Sequence, residues 1–394
     1  MKKTEPAEVF APGEFIREEL AARGWNQEDL AAIMGRSPKV VSEIVSGNTG
    51  ITPETAEGLS AAFGTTAQLW MNLETAYRLA RSGHGDPSVA RRAALYSKAP
   101  IRAMVKRHWL EPTNDVDELE RRLLGFFEID KLDDEPRLLA AARKSVPHAA
   151  LTPAQEAWLF RARHIAPAAP ASSFSMAAFK RAIPELRALA AYAEDVRRVP
   201  RFLSDLGIRL VIVEPLPSSR IDGACFWLND RSPVVVLSMR FERIDSFWFT
   251  LMHELLGHVP EHDVRRGTSV SVDLDIVESR LSLQVVVAAG DMQSPTGKRP
   301  DSEENADRLA EEFLVPKPAL DDFIARVGPF YSKKRIEGFA LRQKVHPGIV
   351  VGQLQHRGAV PYTHDREMLV KIRSIITQAA LTDGWGHSLP ATLS

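Results

Sequence analysis

The segment Phe249-Thr250-Leu251-Met252-His253-Glu254-Leu255-Leu256-Gly257-His258 brings two imidazoles and a carboxylate within six residues. A helix carrying His-Glu and a second His one turn later presents both rings on one face to a tetrahedral zinc. The Glu254 carboxylate then stands ready as general base toward a water molecule. Here His253 and His258 are five residues apart instead of the usual four. On a regular helix that step leaves the rings about 140° apart, which cannot chelate one ion. Three arrangements restore the geometry. A π-bulge near Leu255-Leu256-Gly257 absorbs the extra residue, and such bulges favour functional sites. Alternatively the helix ends at Gly257 and His258 returns from a turn. The third is an inverted His258-Val259-Pro260-Glu261-His262 motif with Glu261 as base, ranked last because Pro260 breaks the helix it requires. A third protein ligand must come from elsewhere in the chain. The plain alternative is a buried helix whose polar residues only satisfy one another.

A strongly apolar helix must position these residues, with Asp245 or Ser246 as its cap and Phe247 to Leu256 as its body. Before it, Arg209 to Val213 is a short β-branched run. Ala224 to Leu228 and Val234 to Leu237 flank Asn229-Asp230-Arg231-Ser232 as a hairpin. Cys225 lies in that hairpin and reads as a packed strand residue. A second helix, Ser302 to Leu314, ends at Val315-Pro316.

Upstream, residues from about Pro12 to Ala80 read as five short helices. Asn26 caps the helix Gln27 to Met34, which Gly35 closes. Ser37 caps a third helix with Pro38 at its first position and Gly47 beyond its end. Thr52 caps a fourth, stopped by Gly64, and a fifth starts at Thr66. The second and third helices have the lengths and turn of a helix-turn-helix, which lays the start of its second helix in the major groove. Lys39, Val40, Ser42 and Glu43 then lie nearest base edges, with Gln27 and the dipole end of its helix against phosphate. The alternative is a helical bundle used for protein contacts. Its acidic residues outnumber its basic ones, which argues against strong nonspecific binding.

Composition bounds the rest. The 394 residues exceed the usual single-domain range, and 44% hydrophobic with 26% charged residues is an ordinary globular mixture. One cysteine excludes an intrachain disulfide framework and fits a reducing compartment. The charged start of the chain has no apolar core of a secretory signal, and no apolar run approaches membrane-spanning length, the longest lying around Val285 to Ala289. A cytoplasmic location is expected. A net charge of -1 supplies no global field for nucleic acid, so DNA binding has to come from a local surface. Ser82 to Pro87 reads as a linker. Residues 88 to 200 look helical and rich in Ala, Arg and Leu, and read as a spacer or dimerisation surface.

Two family resemblances add to this reading. Glu303-Glu304-Asn305-Ala306-Asp307 is similar to the third-ligand helix of gluzincin peptidases. That resemblance makes Glu303 the third zinc ligand and Asp307 the group that orients a ligand histidine. Phe247 to Glu254, the Glu303 to Pro316 helix and His346-Pro347-Gly348-Ile349-Val350-Val351-Gly352 resemble ImmA/IrrE metallopeptidases over about residues 200 to 365. The implied fold is a minimal gluzincin with a three-stranded sheet, an active-site helix and a ligand helix. Its implied activity is cleavage of a repressor, often under stress. Pro12-Gly13-Glu14-Phe15, Trp25 to Ala31, Gly50 to Ala56 and Trp70-Met71-Asn72-Leu73 resemble the HigA branch of the XRE repressors over residues 12 to 80. That implies a dimeric, operator-binding domain.

Together these give a mainly helical α+β chain. Residues 1–82 form the DNA-binding domain, 83–200 a helical linker, 201–330 the zinc peptidase domain and 331–394 a helical extension. The expected partners are operator DNA, a second copy, and a protein substrate that is the chain itself or a repressor. A toxin is a further expected partner if the C-terminal half serves an antitoxin. Tyr331, Tyr362, His364 and His262 are candidates to steady an oxyanion. Ile336 to Val345 followed by His346 to Gln355 has the outline of a second helix-turn-helix, and packing on the catalytic domain is its better reading.

Overall fold

A computed structural model describes residues 10–82, 86–134, 136, 151–260, 270–274 and 301–383. The chain divides into two compact units, Met1–Arg91 and Arg92–Ser394, with no division at 200/201 or 330/331.

The first unit holds α1 (Pro12–Arg23), α2 (Gln27–Ile33), α3 (Pro38–Val45), α4 (Pro53–Phe63) and α5 (Ala67–Arg81). Short polar residues begin these helices as expected. Asn26 accepts from the Glu28 and Asp29 amides and Asp29 returns a bond, forming a capping box, while Ser37, Thr52 and Thr66 cap α3, α4 and α5. Gly35, Gly47 and Gly64 carry the positive φ that turns the chain after α2, α3 and α4. The core gathers Ile16, Leu20, Leu30, Val41, Ile44, Leu59, Phe63 and Trp70. Gly13 lets the start of α1 reach the Val45 carbonyl at the end of α3, an approach that a β-carbon would prevent.

The second unit is built on a mixed sheet whose strands run, edge to edge, through residues 270–274, 221–227, 233–237, 209–212 and 381–382. Its leading helices are α6 (Pro87–Lys98), within which the boundary falls, α7 (Ile101–Lys106), α8 (Val116–Phe127), α9 (Pro153–Ile165), α10 (Met176–Ala188) and α11 (Val199–Asp205). The strands β1 (Arg209–Ile212), β2 (Ile221–Trp227) and β3 (Pro233–Leu237) follow, then α12 (Ile244–Met252), β4 (Val270–Leu274) and α13 (Asp301–Leu314). The chain continues through α14 (Lys317–Val327), α15 (Lys333–Gln343), α16 (Pro347–His356) and α17 (Arg373–Ile376) to β5 (Leu381–Thr382). The β2–β3 hairpin is antiparallel with Cys225 opposite Val235, whereas β1 runs parallel to β3 and β5.

Strand residues alternate between two cores, which explains why β2 and β3 are buried along their whole length. Val211, Ala224, Phe226, Val234 and Val236 face Trp158, Phe160, Leu123 and Leu95 on one side. Leu210, Ile212, Cys225, Val235 and Leu237 face Trp248, Met252, Leu255 and Val350 on the other.

Several expectations need correction here. The sheet has five strands instead of three, because β4 extends the hairpin and β5 adds to β1. Residues 88–200 are more than a spacer. Trp158 Nε1 donates to the Val213 carbonyl at 2.8 Å and Gln155 Nε2 to that of Ser219 at 2.6 Å, fixing α9 to the sheet as a core layer. Neither Asp245 nor Ser246 caps α12. Its N-cap is Arg243, whose guanidinium engages the Asp245 carboxylate. The α15–α16 pair packs as expected of a buried helical pair: Ile349, Val350, Val351 and Leu354 of α16 lie in the core, so no face of that helix is available to a DNA groove. The apolar run Val285 to Ala289 and the tail Gly384 to His387 lie outside the described residues, as do residues 83–85 of the expected linker.

Candidate metal centre and helix-turn-helix surface

At the end of α12 the backbone changes register. His253–His258 forms a π-helical turn, closed by the Val259 amide donating to the Glu254 carbonyl five residues back. Wider i→i+5 winding brings residues five apart onto one face, so the extra residue is absorbed as the first of the three arrangements expects. His253 Nε2 and His258 Nε2 converge to 3.1 Å. Of the inverted motif, His258 belongs to the π-turn, and Glu261 and His262 lie outside the described residues.

The π-turn packs against α13 at a single small-residue contact. Gly257 has no β-carbon, and one placed there would collide with the side chain of Ala306. That close approach delivers the two acids on the neighbouring face of α13, one turn apart. Glu303 Oε2 lies 3.3 Å from His253 Nε2, and Glu303 Oε1 lies 3.6 Å from His258 Nε2. Asp307 Oδ1 lies 2.8 Å from His253 Nδ1. An imidazole hydrogen-bonded through Nδ1–H to a carboxylate keeps its Nε2 lone pair for a metal.

The donor set fits zinc. Bonds of about 2.0–2.1 Å in a tetrahedron place ligand atoms about 3.3–3.4 Å apart; the two imidazole nitrogens lie 3.1 Å apart, and Glu303 meets each of them with a different oxygen, at 3.3 and 3.6 Å. Among the described residues, His253, His258 and Glu303 are the group whose ligand atoms lie within 4.8 Å of one another, and all three are buried. Glu254 is also buried, at 0% exposure, and is not one of that group.

Three of the oxyanion candidates, Tyr331, Tyr362 and His364, lie among the described residues. Tyr331 is packed beside Phe323 with ring centroids 6.1 Å apart, and burial pushes its hydroxyl above the ordinary value. His364 Nε2 faces the Tyr331 carbonyl at 3.0 Å. Tyr362 lines a cavity with Arg243, Ser246 and Phe249, beside α12. Cys225 is fully buried in the sheet. In the sequence Gly257 stands out as a place for a bulge or a helix end, and Ala306 only as part of the Glu-Ala-Asp motif. Their contact was hidden because nothing in one sequence pairs residues 49 apart.

In the first unit, Ser37, Lys39 and Ser42 are exposed, while Gln27 and Val40 are half-buried. Lys39 projects with 85% of its side chain exposed, 4.0 Å from Glu43. Asn26 engages the Glu28 and Asp29 amides that open α2, and Gln27 stands half-buried at that helix start. Arg17 and Arg23 donate to the Val45 and Phe63 carbonyls at 3.3 and 2.6 Å, so both serve the fold. Arg36 and Lys39, on either side of Ser37, are the exposed basic residues at the turn itself.

Comparison with known proteins falls on this unit. Residues 16–70 match the helix-turn-helix family HTH_3. Virulence-associated protein I of Dichelobacter nodosus is 40% identical over 79 residues, 20% of this chain and 73% of the relative. The uncharacterized HTH-type transcriptional regulator YddM of Escherichia coli (strain K12) is 34% identical over 71 residues, 18% of this chain and 76% of the relative. The solved Pseudomonas aeruginosa antitoxin HigA with the higBA promoter is 36% identical, covering 19% of this chain and 83% of that one, with a TM-score of 0.19. No helix among the described residues is long and apolar enough to cross a membrane. Through its N-terminal domain the chain belongs to the XRE-type helix-turn-helix family HTH_3.

Proposed function

We propose that the chain is a DNA-binding transcriptional regulator whose second unit is a zinc-dependent endopeptidase, cutting either itself or a partner repressor to switch gene expression. The observation that carries this reading is the convergence of His253, His258 and Glu303, with ligand atoms within 4.8 Å of one another, and the burial of Glu254, the residue that follows His253. Zinc bound there supplies Lewis acidity, polarising a carbonyl and making water a better nucleophile at neutral pH. Glu254 takes the proton of the attacking water on its carboxylate and passes it to the leaving nitrogen. Asp307 holds the His253 ring in one tautomer and orientation. Burial of the centre keeps bulk water from competing with these groups.

The DNA-binding half of the proposal has operator DNA as its ligand and a second copy of the chain as its partner, in the manner of a repressor dimer on a two-fold site. The relatives named above support regulation of transcription, and the promoter-bound antitoxin supports operator recognition by a related domain. A second reading is favoured by one specific observation: the matches reported above each lie within about a fifth of the chain, at its N-terminus. In that reading zinc only stabilises the second unit, which grips a toxin or senses a ligand while the first unit autoregulates.

The deciding experiment joins metal analysis to Glu254→Gln. About one zinc per chain in wild type, lost in His253→Ala and in His258→Ala, together with derepression that Glu254→Gln abolishes, supports the peptidase. Derepression that survives Glu254→Gln favours the non-catalytic regulator. A wild-type chain without zinc removes the metal centre altogether.

A further inference from the structure

We infer that Gly223 of β2 is a positioning residue for Glu254, shaping a slot in the sheet that holds this carboxylate away from the three metal ligands. The inference rests on the peptidase reading for its functional meaning, but the slot itself is a property of the packing.

A β-carbon built at Gly223 would lie 2.5 Å from Glu254 Oε1, 2.9 Å from Thr250 Cγ2 and 3.3 Å from the Val236 carbonyl oxygen. The first distance is well inside any van der Waals contact, so the carboxylate occupies the space that a side chain at 223 would need. Gly223 sits on the face of β2 that carries Cys225 and Trp227, the face covered by α12. Glycine is unfavourable inside a strand, and its presence there commonly marks a close approach of another group.

The backbone around Gly223 is specialised as well. Ile221 pairs with Leu274 and Gly223 with Asp273, so Asp222 is an extra residue in β2 and the ladder shifts at this point. Such bulges re-aim side chains and are frequent beside active sites. Here the shift falls immediately before the residue that meets Glu254. On the other side, Gly223 pairs with Leu237 of β3, which fixes the floor of the slot.

The consequence concerns ligand number. Catalytic zinc centres keep three protein ligands and one open position, whereas four protein ligands close the site. Glu254 follows the ligand His253 directly in sequence, and a carboxylate is itself a zinc ligand, so its placement bears on the ligand count. With its carboxylate in the Gly223 slot, the grouped donors are His253, His258 and Glu303 alone. Gly223 thus separates the base from the ligands.

The test is a double-mutant cycle on the metal-free full chain, so it does not depend on zinc or on cleavage. Gly223→Ala, Glu254→Ala and the double variant are compared with wild type by the thermal midpoint of the larger unit. The slot predicts that Gly223→Ala lowers Tm by about 5 °C or more, and that at least half of this drop disappears when residue 254 is alanine. Equal drops in both backgrounds overturn the inference. Should Gly223→Ala fail to fold alone, folding of the double variant supports the slot, and failure of the double variant overturns it. Positioning is read separately from the visible spectrum of the Co2+-loaded chain. Gly223→Ala should change the ligand-field bands and Glu254→Ala in that background should restore them, whereas bands unchanged by Gly223→Ala overturn the positioning role. A wild type that binds no metal counts against the peptidase and leaves the stability cycle to decide the slot.

Discussion

His253 Nδ1 and Asp307 Oδ1 are 2.8 Å apart, although 54 residues separate them in sequence. The contact ties the first imidazole of the π-turn to α13, the same helix that presents Glu303. Removing the carboxylate leaves the ligand set intact and frees the ring to rotate. Asp307→Ala is therefore expected to weaken zinc binding about 10- to 100-fold while the chain stays folded. Competition against a chromophoric chelator measures it, and an unchanged affinity would show that ring orientation is set elsewhere.

The π-turn depends on how closely it can approach α13. Gly257→Ala drives a methyl group into Ala306, an overpacking expected to cost roughly 1–3 kcal/mol and to displace Glu303 from the histidines. Both stability and zinc content should fall. Ala306→Gly, introduced on top, should restore most of each. A double variant no better than Gly257→Ala alone would mean that the damage comes from the backbone and not from the contact.

How much of this was legible in the sequence depended on whether the signal was local. Caps at Asn26, Ser37 and Thr52 and the glycines after α2, α3 and α4 are short-range signals, and the first unit follows them closely. The two histidines and Glu254 were legible as a group, as was the need for a departure from regular helix, of which a π-turn was one of three arrangements. Helix and strand in the second unit were legible too, but their layering was not. Nothing local says that Trp158 faces Phe226 across one side of the sheet while Trp248 covers the other. The edge strands β4 and β5 escaped for a related reason. Leu381–Thr382 is too short to carry a period of its own and is a strand only because β1 lies beside it. Gly257 against Ala306 was equally invisible, since an absent side chain carries no pattern.

For DNA, the exposed residues of α3 divide by role. Lys39 is a solvated cation suited to phosphate, whereas exposed Ser42 and half-buried Val40 are the proposed contacts to base edges. Selection from random duplexes should return one consensus for wild type and for Lys39→Ala. Lys39→Ala should bind it more weakly and with a shallower salt dependence, by about one unit of slope. Ser42→Ala or Val40→Ala should alter the consensus instead. An unaltered consensus in both would remove α3 from the base-reading role.

The acid stability of the second unit should depend on His346, which caps α16. Its Nδ1 accepts from the Gly348 amide at 3.0 Å, so the ring must be neutral at that nitrogen. Burial holds its pKa below the ordinary 6.5, with Glu194 pulling weakly the other way. The unfolded chain therefore takes up this proton more readily than the folded one. The contribution is complete above about pH 6.5 and is lost as pH falls below it, toward the lower folded value. Burial lowers His164 in the same direction, so His346 accounts for part of the decline and not all of it. Asn at 346 offers a cap acceptor that does not titrate. His346→Asn should then match wild type near pH 7.5 and lose less stability by pH 5, as read from urea midpoints in the presence of a chelator. Parallel pH profiles for the two chains would place the acid sensitivity on other groups.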